Sequence, residues 1–235
     1  MNRFAKLLEK LLFTPSRNGK IIAIAEYFEN APDPDRGFAL GAITRDLSLN
    51  NLKPTQLRTL AKSRVDPELF DLSYDYVGDM AETISLIWPK HTNHILENQR
   101  LPQLGELISE LQTKSKIALQ TYVTELLDCA SITERWAIIK MVTGGLRVGV
   151  SARLAKTALA EYSGKDLTEI EKIWHGIAVP YTELFSWLDG LADRPCIAPD
   201  RIFHPLMLSN PIDAHHDFDC LNPVDYEAEW KWDGI

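Results

Sequence analysis

Glu229-Trp230-Lys231-Trp232-Asp233-Gly234 is the stretch whose residue types and spacing point most directly to covalent chemistry. Taken as bare chemistry, a lysine between two large aromatics would sit in a partly dry site. Burial there disfavours the ammonium, lowers its pKa and frees the lone pair for nucleophilic attack. Gly234 lets the backbone turn sharply just after. On the pattern alone, a surface strand with an ordinary lysine is the simpler account, because motifs this short arise by chance.

A second stretch suits anion binding. Thr143-Gly144-Gly145-Leu146-Arg147-Val148-Gly149-Val150-Ser151 combines glycines, which allow close backbone approach, with a serine placed to cap a following helix. A helix start offers free N–H groups and a positive dipole end to phosphate, and Arg147 and Arg153 add charge. On the residues alone, a plain helical turn with solvated arginines fits this loop better. Net charge is −8, which argues against coating nucleic acid through bulk charge, but the bases are not spread evenly. Arg135 to Lys156 holds five bases and no acid (Arg135, Lys140, Arg147, Arg153, Lys156). Arg45 to Arg64 holds five more (Arg45, Lys53, Arg58, Lys62, Arg64) against one acid, Asp46. Arg58 and Lys62 are four apart, on one face of a helix, a spacing equally expected of a solvated surface. Two histidine groups, His91 with His94 and His215-His216-Asp217, lack a third ligand nearby, so no metal site is expected. Gly144-Gly145 is not a P-loop, because no Gly-Lys-Ser/Thr follows.

Helical spacing must supply the elements that carry these residues. Phe4, Leu7, Leu8, Leu11 and Leu12 mark one helix face. Ile21 to Phe28 is apolar nearly all round, as in a buried helix. Leu104, Leu107, Ile108 and Leu111 mark another, as do Leu119, Tyr122, Val123, Leu126 and Leu127. Ser131-Ile132-Thr133-Glu134 is a capping box, with Gly144 and Gly145 suited to the stop. Ser151 caps a helix running to Gly164. Leu167, Ile170, Trp174 and Ile177 predict one more, and Tyr181 to Leu191 another. Trp136, Trp174 and Trp187 read as core. Five of the thirteen prolines fall in the last 41 residues, which predicts a linker there. Asp225 to Trp232 partly alternates and reads as a strand. The expectation is an all-α, multi-helix bundle over residues 1–195, followed by an extended segment with one strand over 196–235.

The composition, 45% apolar and 25% charged over 235 residues, is that of a soluble globular protein. No apolar run approaches the roughly 20 residues of a membrane span. Arg3, Lys6, Glu9 and Lys10 break up any secretory signal. Three scattered cysteines do not make a disulfide scaffold, and a cytoplasmic location is expected.

Glu-x-Lys-x-Asp-Gly resembles the nucleotidyltransferase motif of ATP-dependent DNA ligases, RNA ligases and mRNA capping enzymes. The resemblance implies that Lys231 attacks the α-phosphate of ATP and carries AMP through a phosphoramidate bond, with Mg²⁺ as the metal. It implies that Glu229 contacts the adenine amino group. Thr143 to Ser151 resembles the loop of the helical DNA-binding domain that precedes the catalytic core in larger ATP-dependent DNA ligases. Gly78-Asp79-Met80-Ala81-Glu82-Thr83 resembles a helix start in that domain, and Phe203-His204-Pro205-Leu206-Met207-Leu208 resembles the lead-in to the catalytic domain. Order and spacing agree with a larger ATP-dependent DNA ligase, and the resemblance is nearest to the bacterial type encoded with a helicase and a nuclease. An RNA-joining or capping enzyme, or a helical interaction scaffold without activity, are the alternatives.

On this resemblance, the chain is expected to be the front part of a nick-sealing ligase, serving DNA repair, replication or recombination. It is expected to bind nicked duplex DNA through the sugar-phosphate backbone at Gly145, Arg147, Gly149, Ser151 and Arg153, with Arg58 and Lys62 adding contacts. Alone, it is expected to be inactive in adenylation. Helicase and nuclease partners are implied, and no membrane.

Overall fold

Serines and aspartates ahead of apolar runs decide where half of the described helices begin. In the computed structural model, which describes residues 1–47, 49, 52–89, 101–197, 212, 221–227 and 230, Ser16, Asp66, Asp79, Ser131, Ser151 and Asp166 each accept a first-turn N–H. The helices are α1 (Asn2–Phe13), α2 (Arg17–Asn30), α3 (Asp35–Thr44), α4 (Pro54–Lys62), α5 (Pro67–Val77) and α6 (Met80–Ile87). They continue as α7 (Leu104–Thr113), α8 (Lys116–Cys129), α9 (Ile132–Val142), α10 (Ala152–Ser163), α11 (Leu167–Trp174) and α12 (Thr182–Leu188). No strand occurs among the described residues. The chain divides into two units, Met1–Phe203 and His204–Ile235.

In the first unit the predicted stripes form the core. Phe4, Leu7, Leu8 and Leu11 of α1 are buried against α2 and α9. Leu104, Leu107, Ile108 and Leu111 of α7 are all buried, as are Leu119, Val123, Leu126 and Leu127 of α8. Trp174 and Trp187 are core residues, while Trp136 is partly buried. Two expectations need correction in detail. Leu12 turns outward at the end of the α1 stripe. The last predicted helix stops at Leu188 rather than Leu191, where Gly190 takes a left-handed φ of 74°.

Helix α3 has no apolar stripe to announce it. It is rich in small residues, and Arg36, Gly37, Ala39, Leu40, Gly41, Ala42 and Ile43 are all buried. Small side chains let neighbours come close: a Cβ on Gly37 would lie 1.6 Å from the carbonyl oxygen of Pro180. Asp35, in its first turn, accepts the N–H groups of Leu104 and Gly105 at 3.1 and 2.8 Å, capping α7 from outside.

In the second unit Pro223–Asp225 form a turn of 3-10 helix, with Val224 and Tyr226 exposed. The strand expected over Asp225 to Trp232 therefore does not start at Asp225, which closes this turn, and Tyr226 and Glu227 are not in a strand; Ala228, Glu229, Lys231 and Trp232 lie outside the described residues. Glu229 and Lys231, the residues of the proposed chemistry, lie outside the described residues.

Candidate nucleic-acid interface

The connection between α9 and α10 carries the predicted anion-binding residues, and its ends are fixed by two caps. Ser131 starts α9 as expected: its N–H reaches Glu134 Oε2 at 3.0 Å while its Oγ accepts from Glu134 N. The helix stops in a Schellman arrangement. Gly145 N donates to Lys140 O at 2.8 Å, Gly144 N donates to Met141 O at 3.1 Å, and Gly144 is left-handed at φ 67°. Val148 then packs inward, Gly149 turns at φ 66°, and Ser151 Oγ accepts from Leu154 N at 3.2 Å to open α10.

Helix α2 completes this edge. Lys20 Nζ, in its first turn, donates to Val148 O at 2.7 Å and Gly149 O at 3.3 Å. At the other end Phe28 meets Tyr162 with ring centroids 6.2 Å apart. The two helices therefore run in the same direction, with both N-termini beside the loop. Each serine cap satisfies one first-turn N–H and leaves others outside the helical ladder. The positive dipole ends of α2 and α10 thus share one edge with exposed Arg17, Arg147 and Arg153.

The bases that looked alike in sequence fall into two groups. Arg135 is buried, donating from Nε to Leu127 O at 2.7 Å; burial pushes its guanidinium pKa down, with Asp128 acting in the opposite direction. Lys140 pairs with Asp79 at 2.5 Å and Lys156 with Glu171 at 3.0 Å. Lys62 pairs with Asp71 at 2.6 Å, and Arg64 pairs with Asp128 at 3.1 Å. These five hold the bundle together. Arg45, Lys53, Arg58, Arg147 and Arg153 are exposed and make no ion pair with any described residue.

The structure brings part of the second basic window to the loop. A hollow of about 350 Å³ is lined by Arg45 and Leu47 on one side and by Gly144 and Leu146 on the other. Leu52 N donates to Val142 O at 2.9 Å, which sets Lys53 beside the end of α9. Arg58 and Lys62 go elsewhere: α4 packs on α5 and α6, Arg58 lies 5.0 Å over the Tyr74 ring, and Lys62 turns to Asp71. Arg17 and Lys20 were missed by sequence reasoning. The left-handed turn at Gly144 was legible from the cap pattern. The approach of Lys20 across 128 residues had no local signal.

The predicted helix start at Asp79 is present. Its Oδ1 accepts from Glu82 N at 2.9 Å, and its Oδ2 accepts from Lys140. Burial alone would raise its pKa, but the Lys140 ammonium and the Glu82 N–H outweigh it and hold the carboxyl below the usual range. No group of three metal-ligating side chains occurs among the described residues. Nor is any described helix long and apolar enough to cross a membrane.

The family model described as DNA ligase N terminus matches residues 1–160. No curated protein matches the chain.

Proposed function

Starting from a chain that belongs to the DNA ligase N-terminus family, we propose that its helical part, residues 1–195, grips nicked duplex DNA through the sugar-phosphate backbone. The gripping edge consists of the Gly145–Arg153 connection and the first turn of α2. One observation carries this reading: Arg147 and Arg153 are exposed beside two helix N-termini and make no ion pair with a described residue, while the other three bases of the same stretch are committed within the protein. Phosphate contact of this kind does not read base sequence, which suits an enzyme that must act at any nick.

The Lys231 motif supports extending the proposal to chemistry. Residues 196–235 lead into a nucleotidyltransferase domain of an ATP-dependent ligase, where the Lys231 amine takes AMP from ATP in the presence of Mg²⁺ and Glu229 contacts the adenine. Helicase and nuclease partners and a cytoplasmic location belong to the same proposal.

Fluorescence anisotropy with a labelled nicked duplex tests the grip. The logarithm of the binding constant should fall linearly as the logarithm of salt concentration rises. In the double variant Arg147→Ala/Arg153→Ala the slope should shrink by about 2, one unit for each phosphate no longer neutralised. The loss should be similar for unrelated duplex sequences. A salt-insensitive interaction, an unchanged slope, or a loss confined to one sequence would reject phosphate contact at these residues.

A further inference from the structure

A second surface, at the opposite end of α9, is built for something other than DNA. The last turn of α1, the outer face of α6 and the first turn of α9 enclose a hollow of about 400 Å³. Leu12, Phe13, Leu86 and Ile132 converge on it, each at least 49% exposed. The partly buried Trp136 also lines it. Single exposed apolar residues are ordinary, but four from three helices around one hollow form a continuous patch. Their placement follows from the helices. Helix α1 continues two residues past its last buried residue, Leu11, and Ile132 is the residue just inside the Ser131 cap.

The rim identifies the occupant. Glu9 and Glu82 line the hollow, no lysine or arginine does, and neither acid makes an ion pair with a described residue. Glu9 Oε1 accepts only a hydroxyl bond from Thr133, at 3.3 Å. Phosphate is repelled here. A second copy docked about a two-fold axis would bring two such pairs of carboxylates together without a counter-charge. The complementary ligand has apolar anchors flanked by positive charge.

We propose that this groove docks an amphipathic helix of a partner protein, with apolar side chains at i, i+3 or i+4 and i+7 in the hollow and lysines or arginines against Glu9 and Glu82. Ile132 and Val142 stand at opposite ends of α9, about 15 Å apart at roughly 1.5 Å per residue. The hollow and the edge that carries Arg147 are thus at opposite ends of α9 and share no lining residue.

The test uses two labelled synthetic helices of about four turns with the same leucine face, one flanked by lysines and the other by glutamates. Fluorescence anisotropy on the whole chain should give a dissociation constant on the order of tens of micromolar for the lysine peptide and binding at least about tenfold weaker for the glutamate peptide. Leu86→Ser with Ile132→Ser should weaken the lysine peptide at least about tenfold while the chain still melts cooperatively, its midpoint lowered by no more than several degrees, since both side chains are only half-buried. Glu9→Lys with Glu82→Lys should reverse the preference between peptides. Equal binding of the two peptides, binding indifferent to the serine variants, or no binding of either overturns the proposal. Concentration-dependent self-association by light scattering, abolished by the serine variants, also overturns it, in favour of a second copy as occupant.

Discussion

The two ends of the α2–α10 pair use arginine in opposite ways. At the C-terminal end Arg36 is 8% exposed and fully committed. Its Nε and Nη2 donate to Asp33 at 2.8 and 2.6 Å, its Nη2 donates to Asp189 at 2.5 Å, and its Nη1 donates to the Tyr162 hydroxyl at 2.8 Å. The guanidinium carbon also lies 4.4 Å above the Phe185 ring, and Tyr162 donates to Asp189. Burial alone would lower the arginine pKa, but the two carboxylates outweigh it and raise it. At the N-terminal end Arg147 and Arg153 are exposed and make no ion pair with a described residue. A charge whose partners are inside the fold stabilises that fold. A charge left without them is available to an anion from outside. The same residue type thus serves structure at one end and is left available for recognition at the other.

The strongest way to break this contrast is to disturb the committed end. Gly37→Ala would push a methyl group into the Pro180 carbonyl, and both contacting atoms belong to backbone, so neither can swing aside. The expected loss is more than about 3 kcal/mol of unfolding free energy, read by urea titration. Arg36→Met should cost about 3 kcal/mol, because it strands Asp33 and Asp189 in a partly dry site. Either variant, where folded, should keep the salt dependence of DNA binding. A changed slope would mean that the two ends are not separable.

Acid should act on the committed end with a definite sign. The Asp189 pKa would be raised by burial, but Arg36 and Tyr162 outweigh this and lower it; Asp79 is lowered in the same way by Lys140 and Glu82 N–H. Such carboxyls bind protons less tightly when folded than when unfolded. Their contribution is therefore complete above the ordinary aspartate value of about 3.9 and is lost as pH falls through the lower folded values. Asp189→Asn should be less stable than the parent at neutral pH, with the gap narrowing below about pH 4. A gap that stays constant down the pH scale would remove Asp189 from the acid response.

Local signals were legible where one helix turn contains the whole cause. Ser131 with Glu134, and Ser151 with Gly164, fix helix ends by contacts within a few residues, and the α1, α7 and α8 stripes repeat in register with the helix. Helix α3 was not legible, because its glycines and alanines record a close approach by Pro180, which is remote in sequence. The candidate edge was half legible. The loop and its cap stood out, but counting bases along the chain weighed Arg135, Lys140 and Lys156 equally with Arg147 and Arg153. Asp79, which neutralises Lys140, is 61 residues away, and Leu127 O, which takes Arg135, is fixed only by the α8–α9 packing.

The finest distinction lies inside the loop, between Gly149 and Gly145. Gly149 sits at φ 66°, and a Cβ there would lie 2.5 Å from Lys20 Nζ. The lysine tip can move, but only by giving up its bonds to the Val148 and Gly149 carbonyls. Left-handed backbone adds a cost of its own, so Gly149→Ala should lose about 1 kcal/mol or somewhat more. Gly145 has no positive φ, and its Cβ would meet Thr143 Oγ1 at 3.3 Å, the Lys140 side chain at 3.6 Å and Lys140 O at 3.9 Å, with no backbone atom closer. Gly145→Ala should therefore leave stability within a few tenths of a kcal/mol, since the alanine also restricts the unfolded chain. That makes it the sharper probe of recognition. If the Gly145 backbone lies against a phosphate, the added methyl weakens duplex binding while the melting midpoint holds. If binding also holds, Gly145 serves the α9 cap alone, and contact with DNA begins at Arg147.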